Sequence, residues 1–132
     1  MSKPKSILVI EDHKALRILL SGILRKDFEV TTKENGLEAM AHLASGHIPD
    51  IILLDVEMPL MDGLGLIKNL SCSGFFKNIP IIVVSGNEEE SIKKKCYDLG
   101  VKHYFIKPFN PKSLKEKINE ILEVDSVFLL AS

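Results

Sequence analysis

The sequence predicts an α/β domain built on an open parallel sheet with helices on both of its sides. Five short runs of aliphatic and β-branched residues alternate with segments whose apolar residues recur at helical spacing. Most connections are too short to join any but neighbouring elements. One run, residues 51–54, is apolar at every position, which is typical of a strand buried on both faces in the middle of a parallel sheet.

Length, composition and charge indicate a single globular domain. The 132 residues suffice for one core, and 45% apolar with 27% charged residues is an ordinary globular composition. Seventeen basic against eighteen acidic residues leave a formal charge of -1, so we predict that the chain does not bind nucleic acid directly. The N-terminal apolar run is too short for a signal peptide or membrane span, and Cys72 and Cys96 lack metal-ligand spacing. We therefore expect reduced, buried thiols, no membrane insertion and a cytoplasmic location.

The strands are predicted at residues 6–10, 28–33, 51–54, 80–84 and 104–106, the second of them at an edge. All but the second end on polar groups, which are Glu11 with Asp12, then Asp55, Ser85 and Lys107. In open α/β sheets the functional crevice lies beyond the C-terminal ends of the strands, where the strand order reverses. The sequence therefore predicts a site at that end of the sheet.

The first two helices are predicted over residues 13–26 and 36–45 from their apolar spacing. Asp12 is placed to cap the first, and Asn35 with Glu38 resembles a capping box for the second. Gly46 ends the second helix and Gly100 the fourth. Met-Pro and Asp-Gly pairs within residues 58–63 are turn signals that precede the third helix.

The last two helices are indicated by caps and charge spacing. Asn87 is the expected cap of the fourth, in which Glu89 with Lys93 and Glu90 with Lys94 form favourable pairs four residues apart. Asn110 caps and Pro111 opens the fifth helix. Its inward residues are predicted to be Leu114, Ile118, Ile121 and Leu122.

Asp55 ends an apolar strand, where an ionised carboxylate needs a cation, a hydrogen-bond donor or a chemical role. If the first and third strands are neighbours, Asp55 lies close to Asp12, with Glu11 at the rim. Three carboxylates repel unless a cation joins them, and a hard ion such as Mg²⁺ suits oxygen ligands. Asp55 can then act as a nucleophile that forms an aspartyl phosphate, with Lys107 and the Ser85 hydroxyl at the phosphoryl oxygens.

Together these features resemble the response regulator receiver domain of two-component signalling, over roughly residues 5–123. The resemblance rests on the acid pair, the LLD-x-x-MP-x-MDG stretch, Ser85 and the Lys-Pro-Phe run that begins at Lys107. It implies a doubly wound five-stranded parallel sheet in the order 2-1-3-4-5 with five helices, a flavodoxin-like three-layer sandwich. It also implies one receiver domain over residues 1–132, with residues 124–132 as a tail. No effector domain follows, so we expect a single-domain regulator or a piece of a longer chain.

The resemblance implies phosphorylation of Asp55 by a histidine kinase or a histidine phosphotransfer protein. It implies Mg²⁺ held by Asp12, Asp55 and the main-chain carbonyl of Glu57, with Glu11 acting through water. Such a domain is a signal-transfer module that catalyses only its own phosphorylation and dephosphorylation. We expect it to regulate a downstream protein partner and to be a monomer or weak dimer.

The resemblance also implies a switch made of Ser85 and Tyr104, and a cis peptide bond before Pro108. Glu57 and Asn87 stand two residues after Asp55 and Ser85, at positions that in this family flank the phosphoryl group, so we expect them to tune its lifetime. The resemblance implies that phosphorylation changes the surface of the fourth helix, the fifth strand and the fifth helix. The partner-facing patch expected there contains Lys93, Lys94, Lys95, Tyr104 and Lys115.

Three other functions remain open on the sequence. The segment Asp55-Val56-Glu57 loosely echoes the acidic pair of haloacid dehalogenase-like phosphatases, although the chain is short for one. A flavodoxin-like FMN binder is disfavoured because Glu11 and Asp12 would repel a flavin phosphate. A receiver-like module that signals by protein contact without phosphorylation is the third.

Overall fold

The computed structural model describes residues 3–58 and 62–131. Strands and helices alternate within them. In chain order they are β1 Ser6–Ile10, α1 Lys14–Leu24, β2 Glu29–Lys33, α2 Gly36–Ala44, β3 Ile51–Leu54, α3 Gly63–Ser71, β4 Ile81–Ser85, α4 Glu90–Asp98, β5 His103–Ile106 and α5 Pro111–Ala131. All strand pairs are parallel and the order is β2-β1-β3-β4-β5, which confirms the doubly wound fold.

The sheet separates two apolar cores because successive strand residues point to opposite faces. Leu8 and Ile10 of β1 face a cluster that includes Ala39 of α2, Leu66 of α3 and Cys96 of α4. On the other face, Ile7 and Val9 join residues of α1 and α5, namely Leu20, Leu24, Leu114 and Ile118. Full burial of one such aliphatic side chain stabilises the fold by about 1.5–3 kcal/mol, so both helical layers hold the central strands in place.

Several predicted helix boundaries are confirmed by their hydrogen bonds. The Asn35 side chain accepts from the Glu38 N–H at 2.9 Å, and that of Asn110 accepts from the Lys112 N–H at 2.9 Å. Gly46 and Gly100 have φ angles of 99° and 100°, the left-handed conformation that favours glycine after a helix. The fifth helix continues to Ala131, through most of the segment predicted as a tail.

Two predicted caps are wrong. The cap of α1 is His13, with no side-chain hydrogen bond, because the helix begins at Lys14 and Asp12 lies one residue too early. The cap of α4 is Glu89, again with no side-chain bond. Asn87 instead accepts from the Glu89 N–H at 2.9 Å, within the loop that precedes the helix.

The predicted ion pairs on α4 are also replaced. Lys93 lies 3.5 Å from Glu90 and Lys94 lies 2.8 Å from Asp98, because the helix begins at Glu90 and pairs form within its regular turns. Cys96 is buried as predicted, whereas Cys72 is exposed.

Among the described residues, no helix has both the length and the hydropathy needed to cross a membrane.

Candidate phosphoryl-acceptor site

The carboxyl ends of the strands bring Glu11, Asp55 and Lys107 into direct contact. Asp55 follows β3 and is 4% exposed, and Glu11 follows β1 and is 2% exposed. Lys107 follows β5, and its bond to Pro108 is cis as predicted. Its ammonium donates to Glu11 Oε1 at 2.8 Å and to Asp55 Oδ2 at 2.9 Å. The predicted convergence of strand-end groups is therefore present, with the lysine as the bridge between two buried carboxylates.

Burial and pairing act in opposite directions on these groups. Burial raises the pKa of the Glu11 carboxyl, and the hydrogen bond from Lys107 opposes that rise. Burial alone would lower the pKa of Lys107, but the hydrogen bonds to Glu11 and Asp55 outweigh it, so its pKa is raised. Lys107 is thus a stable cation at neutral pH, fixed beside the Asp55 carboxylate.

Glu11 also belongs to a cluster of possible metal ligands with the two residues that follow it. Ligand atoms of Glu11, Asp12 and His13 all lie within 4.8 Å of one another. Asp12 Oδ1 is buried and accepts no hydrogen bond, and the exposed His13 ring lies beside it, with Nδ1 at 3.5 Å. A buried carboxylate oxygen without a donor is what a hard divalent cation such as Mg²⁺ satisfies, so the residues present fit that ion. The sequence interpretation left His13 on the surface and did not connect it with the acids.

The loop after β3 fixes the other oxygen of Asp55. The Glu57 N–H donates to Asp55 Oδ1 at 2.9 Å, so both carboxylate oxygens are oriented. The Gly63 N–H donates to the Val56 carbonyl at 3.0 Å and draws the start of α3 against the loop. A Cβ on Gly63 would lie 2.3 Å from Val56 Cα and 2.5 Å from the Asp55 carbonyl oxygen. The Asp-Gly pair predicted as a turn signal therefore supplies a cap at Asp62 and a close backbone approach at Gly63.

Ser85 and Tyr104 are connected through the backbone of Asn87. The Asn87 N–H donates to Ser85 Oγ at 3.2 Å, and the Tyr104 hydroxyl donates to the Asn87 carbonyl at 2.7 Å. Ser85 and Tyr104 are both buried, and burial raises the pKa of the tyrosine. Two hydrogen bonds therefore connect the Ser85 hydroxyl to the Tyr104 ring through the backbone of Asn87.

The residues predicted as a partner-facing patch do not all share one face. Lys93 of α4 lies over the Tyr104 ring, with Nζ 5.9 Å from the ring centroid. Lys115 of α5 instead pairs with Asp27, beyond the end of α1, at 3.0 Å. The face formed by α4 and β5 thus contains Lys93 with Tyr104. Lys94 pairs with Asp98 along α4, Lys95 lines a groove with Asp62, Gly65 and Lys68 at α3, and Lys115 is directed toward α1.

The comparison with protein families agrees with this geometry. The model of the response regulator receiver domain matches residues 7–119. The chain belongs to this family. Proteins of this family are the receiver domains of two-component systems. The chemotaxis protein CheY1 of Helicobacter pylori is 33% identical to this chain over 118 residues, which cover 88% of this chain and 95% of that protein.

Other relatives of this receiver domain are parts of much longer proteins. Histidine kinase P4 of Formosa agariphila is 34% identical over 92% of this chain, and the chain spans 9% of that kinase's length. Among solved structures, the Mn²⁺-bound form of response regulator Rcp1 is 31% identical and superposes with a TM-score of 0.77, covering 89% of this chain and 91% of Rcp1.

Proposed function

We propose that this receiver domain accepts a phosphoryl group on Asp55 from a phosphohistidine of a histidine kinase or histidine phosphotransfer protein. The observation that carries the proposal is the Lys107 ammonium, which bridges Asp55 and Glu11 at the carboxyl end of the sheet. A buried carboxylate held by a fixed cation and by a backbone N–H is oriented for one reaction geometry. A purely structural salt bridge would not need the neighbouring unpartnered oxygen of Asp12.

In the reaction an Asp55 carboxylate oxygen attacks phosphorus, and a new O–P bond forms as the P–N bond to the donor histidine breaks. The electron pair of that bond returns to the imidazole nitrogen, which takes up a proton. Lys107 and the Ser85 hydroxyl donate hydrogen bonds to the phosphoryl oxygens, where charge develops. Hydrolysis of the acyl phosphate by water regenerates Asp55, so the domain catalyses only its own modification and its reversal.

Asp12, Asp55 and the main-chain carbonyl of Glu57 would hold Mg²⁺, with Glu11 acting through water. The ion would supply further positive charge for the phosphoryl oxygens. The unpartnered Asp12 Oδ1 supports this assignment, and so does the Mn²⁺-bound form of the similar Rcp1.

We propose that the reaction takes place in the cytoplasm and that the domain is a monomer or weak dimer. Its partners are proteins, and it contacts neither nucleic acid nor membrane.

The proposal is tested by incubating the purified chain with Mg²⁺ and acetyl phosphate and measuring intact mass. We expect the gain of one phosphoryl group, no gain for Asp55→Asn, and no gain when EDTA is present. Phosphorylation of the Asp55→Asn variant to the same extent would place the acceptor elsewhere. Continuous hydrolysis of small phosphate esters without a stable adduct would instead favour an aspartyl phosphatase.

Glu57 and Asn87 are proposed to set the phosphoryl lifetime. The Glu57 N–H donates to Asp55 Oδ1, so the Glu57 carboxylate is carried by the loop that orients the acceptor. The Asn87 N–H donates to Ser85 Oγ, so the Asn87 amide is carried by the loop after β4. We expect Glu57→Asn and Asn87→Ala to change the dephosphorylation rate several-fold with unchanged stoichiometry. The check is decay of the phosphorylated species by mass after removal of the donor. Unchanged rates for both variants would remove these residues from that role.

We propose that phosphorylation changes the face formed by α4 and β5, through the Ser85–Asn87–Tyr104 connection, and that a downstream protein reads this face. Reversal of charge at Lys93, which lies over the Tyr104 ring, is expected to weaken capture of that partner at least tenfold and to leave phosphorylation unchanged. Lys115→Glu is the matched control because its side chain faces Asp27 instead. Equal loss of partner binding and phosphorylation would contradict the assignment.

A further inference from the structure

Arg17, on the first turn of α1, lies behind the acidic cluster and contacts its backbone. Its Nη1 donates to the carbonyl oxygen of Glu11 at 2.9 Å and to that of Asp12 at 3.3 Å. Both carbonyls precede Lys14, where α1 begins, and belong to the loop that carries the two carboxylates. The side chain of Arg17 is 18% exposed, so this contact is made largely out of water.

Helix stability does not account for a cation at this position. The first turn of a helix disfavours positive charge, yet the first turn of α1 holds Arg17 and Lys14 and no acidic residue. The ion pair of Arg17 with Glu34 is long, at 3.9 Å, and the Glu34 side chain is 60% exposed, so its contribution is small. The strong contacts of the guanidinium are the two carbonyls of the loop.

We propose that Arg17 is a positioning residue for the divalent cation that the acidic cluster holds, an inference that rests on the proposed function. The Glu11 carboxylate is oriented independently, by Lys107 and by the His13 N–H at 3.1 Å. Asp12 Oδ1 has no hydrogen-bond donor, so its position depends on the peptide planes that Arg17 holds. Arg17 therefore acts on the metal through the backbone of Asp12.

The positive charge of Arg17 by itself would weaken cation binding, in contrast to its positioning of the Asp12 backbone. Through-space repulsion between the guanidinium and Mg²⁺ weakens binding, whereas a prearranged Asp12 carboxylate strengthens it. Loss of a group that orients a metal ligand typically costs 10–100-fold in metal affinity. We infer that positioning dominates, because the carbonyl contacts are short and half-buried. The two effects predict opposite signs for the same substitution, which makes the inference testable.

The test measures the Mg²⁺ dissociation constant by calorimetry, together with the amide NMR shifts of Asp12 and His13 during the titration. We expect Arg17→Met to weaken Mg²⁺ binding about tenfold or more. Arg17→Lys, which keeps the charge but not the planar fork, is expected to recover part of the affinity. Both variants are also expected to alter the Asp12 and His13 amide shifts before any Mg²⁺ is added.

Arg25→Met is the matched control. Arg25 lies at the other end of α1 and donates to Ser21 Oγ at 2.6 Å, far from the acids, so its loss should leave Mg²⁺ affinity unchanged. Unchanged or tighter Mg²⁺ binding by Arg17→Met, or equal weakening by Arg25→Met, would overturn the inference. If Arg17→Met does not fold, unchanged affinity in Arg17→Lys overturns it. Absence of Mg²⁺ binding by the unmodified chain would instead overturn the proposed metal site itself.

Discussion

Lys107→Met is expected to lower the free energy of unfolding by about 3 kcal/mol at pH 7 in the absence of divalent ions. The substitution keeps an unbranched side chain one atom shorter than lysine. It leaves Glu11 and Asp55, both almost fully buried, without the ammonium that lies 2.8 and 2.9 Å from them. We also expect phosphorylation by acetyl phosphate to slow about 10²–10³-fold, the usual cost of removing a fixed donor from developing charge. Urea unfolding and intact mass measure the two effects.

The loss of unfolding free energy in Lys107→Met depends on pH, and the Glu11 carboxyl determines its direction. Burial already raises the pKa of Glu11, and removal of Lys107 removes the hydrogen bond that opposes the rise. Over the interval above the ordinary carboxyl pKa of 4.5 the folded variant then binds more protons than the unfolded chain, so its stability falls as pH rises. The deficit against the unmodified chain should therefore shrink as pH is lowered from about 7 toward 5.

Lys115→Met is the control for this prediction. Lys115 also pairs with a carboxylate at 3.0 Å, but Asp27 is 57% exposed, so the loss should stay within about 1 kcal/mol. Added Mg²⁺ should restore stability to Lys107→Met more than to the unmodified chain, because it replaces the missing cation between the carboxylates. Equal destabilisation by both variants, insensitive to Mg²⁺, would show that Lys107 contributes only packing.

The central part of the fold could be predicted because a short, continuously apolar run is compatible with few other structures. Residues 51–54 are continuously apolar, and β3 is buried at each of these positions between β1 and β4. Residues at the carboxyl ends of parallel strands lie at one edge of the sheet, so the contact of Glu11, Asp55 and Lys107 could be expected from the pattern. The resemblance added the strand order, which spacing alone does not determine.

Other features depend on single-residue offsets that the pattern does not resolve. Asp12 and a true N-cap look alike in sequence, but a helix that begins one residue later leaves the carboxylate free to face Glu11. The Arg17 contact requires the path of the loop between β1 and α1, because its partners are backbone carbonyls that any residue would supply. The sequence grouped Lys115 with the lysines of α4, but spacing alone does not reveal that its ammonium pairs with Asp27, because the fifth helix has charged residues on more than one side.

Gly63→Ala is expected to destabilise the fold by about 3 kcal/mol and to reduce phosphorylation of Asp55 sharply. The added methyl would lie 2.3 Å from Val56 Cα and 2.5 Å from the Asp55 carbonyl oxygen, and both are backbone atoms that cannot rotate away. The start of α3 or the loop after β3 must therefore move. That loop carries the Glu57 N–H that orients Asp55 Oδ1, so a displacement reaches the reacting carboxylate directly.

Gly22→Ala supplies a control of opposite sign. Gly22 lies inside α1, and a Cβ there would meet no atom within 4 Å, so alanine should stabilise the helix by about 0.5–1 kcal/mol. Urea unfolding of both variants, with acetyl phosphate labelling of each, separates the steric effect from the helix propensity of alanine. A stable Gly63→Ala variant that is phosphorylated at the normal rate would mean that the loop relaxes without moving Asp55. The close contact would then have no part in holding the acceptor carboxylate.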